Sequence, residues 1–383
     1  MLQLLREFKV GKPQVFAGLM LLAFLAQCLW AAKTRAVADL EYRYIAAGLP
    51  RAETSAEIIK TASASPLTGW VAALPVRAIP LIRKVASAPI SEALAVPRPW
   101  LLRLPFVLFG FWLGAALWWV ARRLFDDAGG YVALALYCTS PAMIKISSNI
   151  GPEIILAWSG LGLIYTAIGV AHTLYAPPKK WAPRIVILGL SIGFALATAW
   201  WSFTLVLLAF AYMIYLAPGC RKKVLIVLSG ASAIGCMVWA ATYWLTGIAG
   251  LSVKAMLAQK PTLAAVRNLA FALSAQTDGY VLVFLFILAF TAYGSWPRAR
   301  YFGNTAPLIT GLIAVMLFSV APAIRIWDAS LGLSFVFIFI GGLAADFLET
   351  RFKRQITLFL AACFIIRAVQ TVVILTHWIQ NLV

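Results

Sequence analysis

Acidic side chains are the scarce component of this chain. Only 13 Asp and Glu stand against 32 Lys and Arg in 383 residues, and there are only two histidines. By the topology that the apolar runs and cation clusters give below, His172 and His377 fall near opposite faces and cannot share a site, and no Ser/His/Asp set can be assembled. Cysteine offers no framework either. Cys28, Cys138, Cys220, Cys236 and Cys363 are odd in number, lie mostly inside apolar runs and show no CxxC spacing. That supports neither a disulfide framework nor a zinc site. No metal cluster is legible, and the sequence names no cofactor; a divalent metal is left open. Long polar stretches are also missing. The one long run that lipid could not hold is Lys33 to Arg103, which contains Asp39, Glu41, Glu53, Glu57 and Glu92 among many cations.

What is abundant is apolar surface. The chain is 63% hydrophobic with a mean hydropathy of +0.90, whereas soluble domains are about half apolar and carry roughly twice this charge. The net charge of +19 does not point to nucleic acid, because the cations cluster between apolar runs, as topology and anionic lipid require. Apolar runs fall near 14–32, 104–121, 129–147, 153–171, 184–200, 203–218, 224–246, 279–294, 306–322, 329–348 and 355–381. Each is near the ~20 residues needed to cross a bilayer. The expected fold class is therefore an all-α polytopic membrane protein of about eleven spans. Residues 1–383 would form one integral membrane domain, with a first outer loop at 33–103 and a second at 247–278.

Alternation from an inside N-terminus places the clusters around Arg6/Lys9/Lys12, Arg122/Arg123, Lys179/Lys180/Arg184, Arg221/Lys222/Lys223, Arg298/Arg300 and Arg351/Lys353/Arg354 on the inner side. The basic start followed by Ala36-Val37-Ala38 also fits a cleaved signal peptide, though the apolar run is long for one. Within the first outer loop, 67–88 mixes apolar residues with Arg77, Arg83 and Lys84 and is broken by Pro75 and Pro80. It reads as one or two helices on the membrane surface; a helix packed on the loop's own core is the alternative. Gly110/Gly114 and Gly189/Gly193 permit close helix contact. Arg367 falls mid-span in the last helix and should face the bundle interior.

Ionisable groups near a membrane are costly, so those at the outer ends of spans are the site candidates. Asp39 and Glu41 follow the first span at once, and Glu153 opens the fourth after Pro152. Arg103, Lys145 and Arg325 are the outer cations suited to an anionic ligand. Plainer readings exist for each. Asp39 and Glu41 suit solvated pairs with Arg35 and Arg43, and Glu153 suits a helix's first turn. Arg103 and Lys145 suit snorkelling at span ends, and Arg325 suits a pair with Asp328.

Arg103-Leu104-Pro105 running to Phe109-Gly110, then Arg122-Arg123-Leu124-Phe125, Gly129-Gly130, Ser140-Pro141 and Ser65-Pro66-Leu67 with Trp70, resemble membrane glycosyltransferases of the GT-C class. The resemblance is to the protein O-mannosyltransferase and aminoarabinose transferase type, glycosyltransferase family 39-like, and covers about residues 14–200. It implies a GT-C-like bundle in a bacterial inner membrane. It also implies transfer of a sugar from a polyprenyl-phosphate carrier to an acceptor at the outer face. An acid at the start of the first outer loop is essential in that family, and Asp39 occupies that position with Glu41 next. Three departures stand out: Leu40 separates the two acids, Ser65 stands where a lysine is usual, and Trp200-Trp201 replaces a Lys-Gly pair. These keep a second reading open, a non-catalytic membrane subunit with protein partners on the same scaffold. A transporter is the third, disfavoured because most charges lie at span ends rather than near the midplane.

Overall fold

A computed structural model describes residues 12–49, 65–78, 99–199, 202–246, 279–320 and 330–380, and the structural statements below concern those residues. The second outer loop, Arg325 and the rest of the first loop lie outside them. The described chain is helical throughout, in thirteen α-helices. In order they are α1 (Lys12–Thr34), α2 (Asp39–Ala47), α3 (Pro66–Ala78), α4 (Pro99–Cys138), α5 (Pro141–Ser147), α6 (Pro152–Thr173) and α7 (Pro178–Thr198). Then follow α8 (Phe203–Leu216), α9 (Arg221–Thr246), α10 (Tyr280–Ser295), α11 (Phe302–Val320), α12 (Ser330–Leu348) and α13 (Lys353–Gln380).

Seven segments are long and apolar enough to cross a membrane and three are shorter; one of the seven, α4, is two limbs joined at a kink, which brings the total to the expected eleven. The kink falls at Phe125 and Asp126, between the apolar runs 104–121 and 129–147. The second limb ends at Cys138, and Ser140 starts α5 by accepting a 3.1 Å hydrogen bond from the Met143 N–H, with Pro141 behind it. The run 129–147 is thus a broken helix. Arg367 closes the break. It is fully buried on α13 and donates to the Thr139 hydroxyl (3.1 Å) and the Leu136 carbonyl (3.3 Å), with the Phe337 ring beside it. A cation at carbonyls that have lost their helical partners is favourable. It is also the interior placement expected for an intramembrane charge.

Helices α4, α6 and α12 form the enclosed centre, while α1, α9 and α13 present broad apolar faces outward. On α13 the buried residues Leu360, Cys363, Arg367, Thr371 and Leu375 form one stripe, and Leu358, Ile365, Val369, Val372 and Val373 are exposed. Such faces would be aggregation-prone in water and suit lipid. The two glycine pairs do what their spacing suggests. A Cβ added at Gly189 would lie 2.6 Å from Ile234 Cβ, and one at Gly114 would lie 2.8 Å from Leu21 and Tyr137, so α7–α9 and α1–α4 approach closely. Gly129 and Gly130 sit inside the second limb of α4, where Gly130 faces Arg122 across the kink.

Within the stretch expected to carry surface helices, α3 is docked on the bundle. Most of its residues are buried, and it packs against α2, α4, α7 and α9. Gly48 allows this: a Cβ there would lie 2.7 Å from Ala73 Cβ on α3. The Arg77 guanidinium on α3 donates to the Gly48 carbonyl at the end of α2.

Candidate functional site

The first span ends at Thr34, leaving carbonyls with no partner inside α1. Arg103, in the first turns of α4, collects them. Its Nη1 donates to the carbonyls of Ala32 and Arg35, each at 2.8 Å, and its Nη2 donates to Ala36 at 2.6 Å. Its remaining donors go to one carboxylate: Nε to Glu41 Oε1 at 2.9 Å and Nη2 to Glu41 Oε2 at 2.6 Å. A guanidinium has five N–H donors, and all five of Arg103 are spoken for.

Glu41 is equally consumed. Besides Arg103 it accepts from the Ala38 N–H and the Ile150 N–H, each at 2.9 Å. The Ala38 bond is half of a capping box for α2, the other half being impossible from an alanine side chain. The Ile150 bond reaches the turn between α5 and α6. One buried pair thus ties together α1, α2, α4 and the α5–α6 turn. Burial alone would raise the Glu41 carboxyl; the Arg103 guanidinium and the two backbone N–H groups outweigh it and hold the carboxyl below its ordinary value. Arg103 was expected to face an anionic ligand. In this fold it instead presents no unused donor, and its charge is matched within the protein.

Asp39 lies two residues from Glu41 on the same helix but on its open side. Its side chain is 64% exposed, against 5% for Glu41. It stands in the first turn of α2, where the helix dipole favours a carboxylate. Arg43, one turn on, donates to it from Nε at 3.0 Å and Nη2 at 2.6 Å. An exposed pair of this kind contributes little stability.

Beside the knot lies a second basic group, Arg35, which the sequence offered only as a solvated partner of the acids. Arg35 is buried and donates from Nη1 to Asn149 Oδ1, its guanidinium carbon lies 4.0 Å above the Trp378 ring of α13, and its Nε has no partner. Burial pushes the Arg35 guanidinium down to about 10, with Glu41 opposing the shift and Arg103 adding to it. Lys145, at the end of α5, is also buried and places its Nζ 5.5 Å from the same Trp378 ring. Trp378 therefore brings the two cations to one place. Nothing in the sequence marked Trp378, which is one of fifteen tryptophans. Glu153 is buried in the first turn of α6, and its carboxylate folds back over Gly151, three residues from the Ile150 N–H that Glu41 holds. Arg325 lies outside the described residues. Among the described residues no three His, Cys, Asp or Glu converge as a group able to hold a metal ion.

No protein-family model and no curated protein matches the sequence. Solved structures do match the fold. ArnT from Cupriavidus metallidurans in its apo state aligns with a TM-score of 0.61 over 92% of this chain at 13% identity, and the same protein bound to undecaprenyl phosphate with 0.58 over 91%, also at 13%. The apo form of the Archaeoglobus fulgidus oligosaccharyltransferase aligns with a TM-score of 0.54 over 96% of this chain at 14% identity. Both are GT-C glycosyltransferases. The alignments span 64% and 63% of the two ArnT chains and 56% of the oligosaccharyltransferase, so this chain corresponds to less than two thirds of each. The fold is thus a GT-C-like helical bundle, and the chain is an integral membrane protein.

Proposed function

We propose that this protein is a glycosyltransferase that moves a sugar from a polyprenyl-phosphate carrier to an acceptor hydroxyl at the face of the membrane bearing α2. The observation that carries the proposal is the division of labour on that helix. Glu41 is locked into a buried knot with Arg103, and the knot presents Asp39 at the open side of α2. In the reaction the acceptor oxygen attacks the anomeric carbon and the bond from that carbon to the carrier phosphate breaks. The acceptor's proton passes to the Asp39 carboxylate, a general-base role that needs an exposed carboxylate within hydrogen-bond reach. The carrier phosphate leaves with the bonding electrons. Arg35 and Lys145, gathered at Trp378, are the cations that would hold it. Arg35 has an uncommitted Nε for such a contact. Arg103 acts as a positioning residue, and Glu153 as support for the α5–α6 turn.

The ArnT neighbour bound to undecaprenyl phosphate supports a polyprenyl carrier by analogy of fold. The sorting of cation clusters supports an inside N-terminus and an outer-facing site, and the family resemblance is what suggests a bacterial inner membrane. One observation favours a non-catalytic subunit instead: Ser65, at the position of the family's usual lysine, is buried and bonded to the Thr68 hydroxyl at 2.7 Å, so no cation comes from there. Native mass spectrometry of purified protein with polyprenyl phosphate separates the readings. The enzyme reading expects carrier adducts that weaken roughly ten- to hundredfold in Arg35→Gln, as one hydrogen bond to a charged group is worth about 1.5–3 kcal/mol. Absence of carrier binding in the wild type would favour the subunit.

A further inference from the structure

The kink of α4 borders an open surface pocket of about 480 Å³ lined by Trp119, Arg122, Arg123, Asp126, Asp127 and Ala128, a volume typical of small-ligand sites. It lies at the opposite end of the first limb of α4 from the Arg103 knot. At 1.5 Å per residue the limb from 99 to 124 is roughly 37 Å long, enough to cross a bilayer. The pocket therefore belongs to the other membrane face and has no part in the site described above.

Two features set it apart. Asp126 has φ 58° and ψ −170°, a conformation that is essentially glycine's, and it is the one non-glycine residue with positive φ among the described residues. Glycine would turn the chain here at lower cost, yet the sequence places a carboxylate at this point and its glycines at 129 and 130. The second feature is the state of the charges. Arg122 is paired with Asp127. Arg123 lies over the Trp119 ring at 5.4 Å. Among the described residues neither Arg123 nor Asp126 has an ion-pair partner, so one cation and one carboxylate stand exposed at the rim without a counter-charge.

We infer that this pocket binds the phosphoethanolamine head group of a membrane lipid, with the phosphate on Arg123 and the ammonium on Asp126. Depth favours a lipid over a soluble ligand. Trp118, Trp119, Arg122 and Arg123 close the apolar run of the first limb, the arrangement of a membrane–water interface, and Trp119 in the lining is exposed for contact with acyl chains. Charge selects the head group. Two arginines and two aspartates leave the rim without net charge, so a purely anionic head group would meet both carboxylates. A choline ammonium has no N–H to donate to Asp126, and one tryptophan does not build the aromatic cage that would replace that bond. An ethanolamine ammonium has three N–H donors for the carboxylate.

The test is native mass spectrometry of full-length protein released from nanodiscs containing equal parts phosphatidylethanolamine, phosphatidylcholine and phosphatidylglycerol. The wild type should retain phosphatidylethanolamine well above its bulk share. Asp126→Gly, which also relieves the backbone and so should fold, and Arg123→Gln, which changes an exposed side chain, should each lower that retention about tenfold, the loss of one hydrogen bond to a charged group. Retention that survives both substitutions, or phosphatidylglycerol held as well as phosphatidylethanolamine, would overturn the assignment. Displacement of the lipid by millimolar free O-phosphoethanolamine would overturn its lipid part in favour of a soluble ligand.

Discussion

The two sides of α2 have opposite physical fates. On the inner side Glu41 is buried and accepts four hydrogen bonds. On the outer side Asp39 meets solvent and the half-exposed Arg43. A carboxylate sealed among four donors can hold a structure but is poorly placed to take up a proton from a passing hydroxyl. A carboxylate at an exposed helix start can take up that proton but holds little in place. The lesson is that the residue nearest the most elaborate network is the foundation, and the sparsely held neighbour is the one proposed to do chemistry.

The same isosteric change at the two positions should break the comparison most sharply. Glu41→Gln leaves Arg103 buried without its counter-charge, and breaking a buried pair in this way costs about 3–5 kcal/mol. It should lower the unfolding midpoint in detergent steeply. Arg103→Lys should do no better, since an ammonium lacks the planar fork that reaches three carbonyls and both carboxylate oxygens. Asp39→Asn, read in the same assay, should stay within about 0.5 kcal/mol of wild type. Equal destabilisation by Glu41→Gln and Asp39→Asn would erase the distinction.

A smaller effect should appear with pH. The folded Glu41 carboxyl titrates below its ordinary value, while the unfolded one titrates near 4.3. The unfolded state therefore binds the proton first. The pair's contribution is complete above the unfolded value and is lost as pH falls through the folded one. The unfolding midpoint of wild type should thus decline on acidification below about pH 4.3, and Glu41→Gln should lack that component of the decline. Parallel curves for the two proteins would contradict the assignment.

Much of the scaffold was legible because lipid imposes a simple rule, a long apolar run for every crossing. Arg367 was legible as an interior charge for the same reason, although only the fold shows that the broken helix at Thr139 supplies its acceptors. The partners of Arg103 were not legible, because a lone arginine at the start of a span looks the same whether it awaits a phosphate or caps a neighbouring helix. The carbonyls it serves belong to Ala32, Arg35 and Ala36, some seventy positions earlier, and carry no side-chain signature. Trp378 was invisible for a related reason. Its meaning lies in meeting Arg35 and Lys145, which are far from it in sequence. The α3 segment looked like a membrane-surface helix because composition reports apolarity but not which partner receives it; Gly48 and Ala73 decide that.

The central claim rests on Asp39, and the initial rate of sugar transfer from a polyprenyl-phosphate donor by reconstituted Asp39→Asn protein tests it most directly. Loss of a general base should lower that rate by about 10²–10⁴-fold in a protein that remains folded and inserted. A rate close to wild type would contradict the account.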